Sequence, residues 1–424
     1  MTDLRRDSPP SRRPHVVFLS SGLSFPHGMA ATSRASLYGR ALIANGWRVT
    51  VLNTGPTERP GAIRNRDSRG EHEGIAYVYA CGTTVWPETF VRRQAVRLRG
   101  VLAATRRLVR LKRSRDIECV HLWISPQQWS LPRFCLFFLL RVLAIPACME
   151  LNEFPWAFKS DRSLVERLSS PLSSARGVVV ISEFLEQWVA RESLARGLRV
   201  KTIRVPILVD AHEPIPGGAP RRGPEVLYAS TEGYDTALAF VIRAMQYVWQ
   251  AVPSCTLVIT GWRQEAFQRA VSETPALADA TKRGRISVEG YLPRPEFLGR
   301  CGAAAALLVP LFDDIQSKAR FPTKIGDFLL TGRPVIASRV GEVTTVLKDR
   351  DNAYLVPAGD AQIFGATIVE ALTHEREAAI IGARGRLAAQ EQLDYRVYAG
   401  TLSAHLRAIA ARSTSRAPNG HGGA

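Results

Sequence analysis

The chain has 424 residues, 46% of them hydrophobic, which is too long for one ordinary core and apolar enough to exclude global disorder. Its formal charge is +18, and residues 91–115 carry ten Lys or Arg and no acid, so most of the excess is one local feature. Six scattered cysteines (Cys81, Cys119, Cys135, Cys148, Cys255 and Cys301) form no Cys-x-x-Cys pair and read as reduced core thiols of a cytoplasmic protein rather than disulfides or a zinc site.

Residues 1–14, rich in Arg, Ser and Pro, read as a disordered tail, and no apolar run follows their arginines, so no secretory signal is expected. His15–Ser20 is an apolar run and a first buried strand. A Gly-containing loop leads into a helix from Thr32 to Asn45, capped by Thr32 or Ser33 and closed by Gly46, and Arg48–Asn53 is the next strand. That spacing is a right-handed β-α-β unit and predicts a parallel sheet. Ile75–Ala80, Ile117–Trp123, Ala147–Leu151 and Gly177–Ile181 continue it. Phe134–Ile145 is apolar but short and carries Arg141, which predicts a buried helix rather than a membrane span.

Pro, Gly and Arg then dominate a linker at 208–224, after which the β/α rhythm restarts. Strands are expected at Val226–Ala229, Thr256–Thr260, Ile286–Glu289, Ala305–Pro310, Pro334–Ser338 and Ala353–Val356. The expected architecture is α/β: two doubly wound Rossmann-like parallel-sheet domains, 15–207 and 225–390, facing a cleft. A C-terminal helix at 391–411 and a disordered tail at 412–424 complete the chain. In such sheets ligands bind beyond the carboxyl ends of the strands.

The segment Phe321–Ser338 carries the clearest chemistry. It reads as a polar loop, a short helix, a Gly-x-Pro turn and a buried strand. Free backbone N–H groups at a helix start suit a phosphate, Lys324 adds a point charge, and Asp327 can accept hydrogen bonds from sugar hydroxyls. The plainer readings are a solvated surface lysine and a first-turn acid stabilised by the helix dipole. Gly28, after the first strand, serves either a phosphate approach or a tight turn, and Asp313-Asp314 reads as a solvated acidic loop. The basic segment 91–115 reads as a helix with Val91, Ala95, Leu98, Leu102, Thr105 and Val109 on one face, flanked by Arg92, Arg93, Arg97, Arg106, Arg107 and Arg110. Such a helix suits an anionic membrane surface, a solvated charged face or an acidic glycan. No nucleic-acid module is present and no aromatics interleave the arginines, so no nucleic-acid partner is expected.

Several segments together resemble a known family. They are Gly28–Arg34, Glu150–Pro155, Ile181–Leu185, Val205–Asp210, Gly290–Phe297 and the Pro322-Thr323-Lys324 signature that runs to Gly332-Arg333-Pro334-Val335-Ile336-Ala337. In order and spacing they resemble the retaining GT-B glycosyltransferases of family 4, the group with sucrose synthase-like and mannosyltransferase-like enzymes. The resemblance spans His15 to Ile409.

It implies a nucleotide-sugar donor on the second domain, bound by Thr323, Lys324, Asp327, Gly341 and Glu342, with Asp327 on the ribose in place of the usual Glu. It implies an acceptor or phosphate loop at Gly28 and Met29, and His121 as a catalytic residue at the transferred sugar's face. It also implies a glycan or lipid-linked acceptor, no cofactor and no catalytic metal, and a location in the cytoplasm or peripherally at the inner membrane face.

Two departures stand out. The usual Arg and Lys that clamp the diphosphate are missing from Tyr228–Asp235, leaving Lys324, Arg320, Arg263 or a helix end to substitute, and the first acid of the usual Glu-x7-Glu pair falls on Ala319. These departures keep a non-catalytic scaffold of the same fold in play. A sugar-nucleotide epimerase is a further alternative, although its acid and histidine sets are not found.

Overall fold

The computed structural model describes residues 12–123, 131–154, 172, 175–217 and 223–411. The tails expected at 1–14 and 412–424, apart from 12–14, fall outside this range, as do 218–222 of the expected linker and Pro155 of the Glu150–Pro155 segment.

The first sheet contains β1 (His15–Ser20), β2 (Arg48–Asn53), β3 (Arg69–His72), β4 (Ile75–Tyr79), β5 (Cys119–Trp123), β6 (Ala147–Leu151), β7 (Gly177–Val180) and β8 (Lys201–Arg204). Its order is β3-β4-β2-β1-β5-β6-β7-β8, parallel except for the β3/β4 hairpin. Among the described residues of this half of the chain the helices are α1 (Ala30–Ala44), α2 (Phe90–Arg113), α3 (Leu131–Val142) and α4 (Glu183–Ala195). β1 is buried along its whole length, as expected of a strand covered on both faces.

The second sheet is wholly parallel: β9 (Glu225–Ala229), β10 (Thr256–Thr260), β11 (Ile286–Val288), β12 (Ala306–Val309), β13 (Val335–Ser338) and β14 (Tyr354–Val356), in the order β11-β10-β9-β12-β13-β14. Its helices are α5 (Asp235–Ala251), α6 (Gln264–Glu273), α7 (Pro275–Lys282), α8 (Arg294–Ala303), α9 (Ile315–Ala319), α10 (Lys324–Leu330), α11 (Val343–Val346), α12 (Ala361–Thr373) and α13 (Glu375–Gln392). In both sheets the winding reverses beside the first strand, at β1/β5 and at β9/β12, the usual place for a ligand crevice.

The last helix, α14 (Ala399–Ala411), returns to the first domain. Leu402, Leu406 and Ile409 are buried with Val16, Phe18 and Val179. Trp47 Nε1 donates to Ser403 Oγ at 2.8 Å. The chain therefore crosses between domains twice, and the two crossings pair. Val209 N donates to Leu393 O at 2.9 Å and Tyr395 N to Val209 O at 3.0 Å. From α1, Arg40 holds Asp210 at 2.5 Å, and Arg396 takes the other oxygen of Asp210 at 3.0 Å.

Four expectations are corrected. β3 and β8 are additional strands; their sequences, Arg-Gly-Glu-His and Lys-Thr-Ile-Arg, are polar edge strands with no apolar run to mark them. Residue Met29, not Thr32 or Ser33, is the α1 N-cap, because Thr32 Oγ1 is used to close the preceding loop on Ser24 O at 2.7 Å. α3 is a helix but not a fully buried one, since Phe138 and Val142 are exposed. Cys135 is exposed as well, while the other five cysteines are free and buried.

α1 is anchored by a buried ionic cluster. Arg34 Nε donates to Glu150 Oε1 at 2.7 Å, and Arg34 Nη2 donates to Val205 O at 2.7 Å. Nη1 reaches Pro206 O. The other Glu150 oxygen lies 3.0 Å from His121 Nε2. Burial alone would raise the Glu150 pKa, but Arg34 and His121 outweigh it and hold the carboxyl below its usual range. Its stabilising contribution is present above the unfolded carboxyl pKa of about 4.3 and is lost as pH falls through the lower folded value. Replacing Glu150 by Ala leaves Arg34 buried and uncompensated and is expected to cost about 3–5 kcal/mol in urea unfolding at pH 7. A loss below about 1 kcal/mol would show that the cluster does not anchor the helix.

Candidate functional site

The carboxyl ends of β9, β12 and β13 carry the residues singled out in the sequence. Phe321, Ile325, Phe328 and Leu329 are buried in a core that spans both domains and includes Ile207, Val209 and Leu311. A Cβ at Gly326 would lie 2.5 Å from Val209 Cγ1, so only glycine lets α10 pack this close to the linker. Lys324 and Asp327 remain half-buried on the outer face.

Lys324 Nζ donates to Ala229 O, the carbonyl ending β9, at 2.7 Å, and lies 5.1 Å from the centre of the Tyr228 ring. Among the described residues no carboxylate forms an ion pair with it. Burial, with the nearby Arg320 guanidinium, holds its ammonium down at about 7. Arg320 is also half-buried. Its Nη1 donates to Tyr234 OH at 3.0 Å, and among the described residues its buried Nε has no partner.

Asp327 accepts from Arg294 Nη2 at 2.9 Å, and Arg294 also grips Glu213 of the linker through two 2.6 Å bonds. Burial pushes the Asp327 carboxyl up while Arg294 opposes it. The sequence pointed to the Gly290–Phe297 turn but not to Arg294 as the partner of Asp327, because that contact joins residues 33 apart. Thr323 is the N-cap residue of α10 and makes no side-chain cap bond.

Arg263, in the loop after β10, is the N-cap residue of α6 and an exposed side chain. Its Nε and Nη2 both bind Glu232 at 2.7 Å, which holds the Glu232 carboxyl down at about 2. Its charge is therefore already neutralised by the loop that lacks the expected bases. Glu342 is buried and bridges the domains: its Oε2 accepts from Glu183 N at 2.8 Å, and Arg204 Nη1 lies 3.6 Å from Oε1. Burial raises its pKa. The neighbouring Gly341 has φ +57°, and a Cβ there would come within 2.9 Å of Lys318 Cα, so its first duty is a tight turn. Asp314 caps α9 through Ser317 N at 2.6 Å, and Asp313 pairs with Lys318.

On the first domain, a Cβ at Gly28 would meet Thr32 Oγ1 at 2.1 Å and Ser24 O at 2.5 Å, which makes this a close-packed turn. Met29 beside it is exposed. His121 has no accessible surface. It packs edge-on to Phe18, beside Tyr38 and Trp123, with Nε2 facing Glu150. The residue expected at the transferred sugar's face is thus enclosed in this structure, and among the described residues its Nδ1 is buried without a partner.

Two further contacts bound the cleft. Ser182 Oγ donates to Ala319 O at 2.6 Å, and the Arg64 guanidinium lies 3.9 Å from the centre of the Tyr291 ring.

α2 packs through Gly100, Ala104 and Leu108. The opposite face is open: Phe90 is 73% exposed, Val91 76%, Leu98 59% and Leu102 48%. Arg92, Arg93, Arg97, Arg106, Arg107 and Arg110 are exposed around it. Among the described residues no helix is long and apolar enough to cross a membrane, and no cluster of three or more His, Cys, Asp or Glu could hold a metal ion.

Residues 223–374 match the family Glycosyl transferases group 1. No curated protein matches the chain. Among solved structures, the chain is similar to sucrose-phosphate synthase from Thermosynechococcus elongatus, with 17% identity, a TM-score of 0.69 and coverage of 94% of this chain and 100% of that one. It is also similar to a glycosyltransferase from Rickettsia africae, at 10% identity and TM-score 0.66, covering 94% and 99%. A third is Anabaena HepE in complex with UDP and glucose, at 14% identity and TM-score 0.60, covering 94% and 100%. The fold is thus the two-domain GT-B arrangement.

Lys324 titrates near 7 when folded and near 10.4 when unfolded, so its burial destabilises the unliganded chain most below pH 7, and the penalty fades towards pH 10.4. Lys324→Met is expected to raise the thermal midpoint by a few degrees at pH 6 and by progressively less as pH rises to 10. A lower midpoint at pH 6 would contradict this account.

Proposed function

We propose that this chain, a glycosyltransferase whose second domain belongs to group 1, transfers a sugar from a nucleotide-sugar donor to a glycan or lipid-linked acceptor with retention of configuration. The observation that carries the reading is Lys324: a half-buried amine at the carboxyl end of β9, bonded to Ala229 O and paired with no carboxylate among the described residues, gives up its proton near pH 7 and would hold it more tightly with an anion in the site. Solved structures of the same fold contain UDP or UDP-glucose, which supports a nucleoside diphosphate as that anion.

In this reading the donor diphosphate meets Lys324, and Asp327, held by Arg294, accepts the ribose hydroxyls. Thr323 and Gly341 line the same loops, while Glu342 holds the domains together rather than touching the sugar. The acceptor approaches from the Gly28–Met29 side. The bond from the anomeric carbon to the leaving phosphate oxygen breaks as the acceptor oxygen bonds on the same face. The acceptor proton passes to the leaving phosphate, so no protein base is required, and we propose no metal or cofactor. Closure of the domains excludes water and so prevents hydrolysis. The open apolar face of α2 and its arginines support docking on an anionic membrane at the cytoplasmic face, in polysaccharide or glycolipid assembly.

Titrating the full chain with UDP, GDP, ADP and dTDP is expected to find at least one ligand. Lys324→Ala and Asp327→Ala should each weaken it roughly 10- to 100-fold. Binding at pH 8 should take up a proton that Lys324→Ala no longer takes up, because the anion raises a pKa that starts near 7. Unchanged affinity in both variants would remove the site assignment.

Vesicle sedimentation tests the docking. Phosphatidylglycerol vesicles should bind the chain and neutral phosphatidylcholine vesicles should not. Changing Arg92, Arg93 and Arg97 together to Gln should cut binding roughly 100-fold, at about 1 kcal/mol per charge. Equal binding to both vesicle types would exclude this surface.

A further inference from the structure

We propose that Arg320 is the second half of the diphosphate clamp, acting with Lys324 in place of the Arg and Lys that Tyr228–Asp235 lacks, and that Tyr234 holds it in place. This rests on the reading of the second domain as a donor site.

The candidates for the missing charge separate by their partners. Arg263 commits its Nε/Nη2 edge to Glu232 through two 2.7 Å bonds. Arg294 is shared between Glu213 and Asp327. Among the described residues Arg320 makes one side-chain hydrogen bond, from Nη1 to Tyr234 OH at 3.0 Å, with its guanidinium 5.1 Å from the centre of that ring. The Nε/Nη2 edge has no acceptor among the described residues, and Nε is buried. That edge is the one Arg263 uses for a carboxylate, and its planar fork fits two phosphate oxygens.

Arg320 and Lys324 lie close enough for the guanidinium to depress the ammonium, and among the described residues neither pairs with an acid. Two adjacent half-buried cations repel, and an unpaired buried N–H is costly. A single diphosphate relieves both penalties. The Arg320–Tyr234 bond spans 86 residues, joining the loop after β9 to the end of α9, so ligand binding also ties these loops together.

The test is calorimetric titration of the full chain and of Arg320→Ala, Arg320→Lys and Lys324→Met with UDP, GDP, ADP and dTDP, and with the monophosphate of whichever base binds best. The expected result is a roughly 10- to 100-fold loss of diphosphate affinity in Arg320→Ala, with a smaller loss for the monophosphate. Arg320→Lys, which keeps the charge without the fork, should fall between Arg320→Ala and the wild type. Proton uptake at pH 8 should shrink in Arg320→Ala, because Lys324 starts more fully protonated. Loss with Lys324→Met but affinity within twofold of wild type in Arg320→Ala would overturn this inference and leave the donor site standing. No binding of any diphosphate by the wild-type chain would overturn both.

Discussion

The buried carboxylate of Glu150 is the point on which the first domain and its junction to the second depend. It sits at the end of β6 and draws together Arg34 of α1, His121 of β5 and, through Arg34, the carbonyls of Val205 and Pro206 where the chain leaves the domain. A charge of this kind is tolerated in a core only when its partners are held in place. Helix α1 therefore has one permitted position. Six residues along it, Arg40 reaches Asp210 beside the paired crossings at Val209 and Asp394. The same helix thus holds both the start of the linker and the point where the two crossings pair.

The facing surfaces are shaped by which charges are matched. Glu232 neutralises Arg263, and Glu213 and Asp327 share Arg294. Glu342 is occupied by the N-terminus of α4 and by Arg204. Among the described residues Lys324 and Arg320 pair with no acid, at the strand ends where a doubly wound sheet receives its ligand. Such strain in an unliganded site is retained where a ligand relieves it. The α2 surface has the opposite character: its apolar residues and arginines are exposed together, away from the face packed through Gly100 and Ala104.

Much of this was legible in the sequence. β1, β2, β6 and β10 begin and end where their apolar runs do, because strands buried on both faces are written as continuous hydrophobic segments. The edge strands β3 and β8 were not legible, since half-exposed polar residues leave no pattern. Among the site residues, Lys324 and Asp327 stood out through the turn chemistry and short helix around them. His121 stood out through the family resemblance, yet the carboxylate it faces comes from a neighbouring strand, which no local pattern shows.

By itself the sequence determined the local elements, the two repeated β/α windings, the basic helix and the chemistry available at 320–338, because each depends on residues close together in the chain. The tertiary structure alone decided which charges were neutralised, that α14 returns to the first domain, and that Arg320 rather than Arg263 keeps a free edge. Those outcomes depend on partners from 31 residues away, as in Arg263–Glu232, to 356, as in Trp47–Ser403, and no local pattern encodes such a meeting.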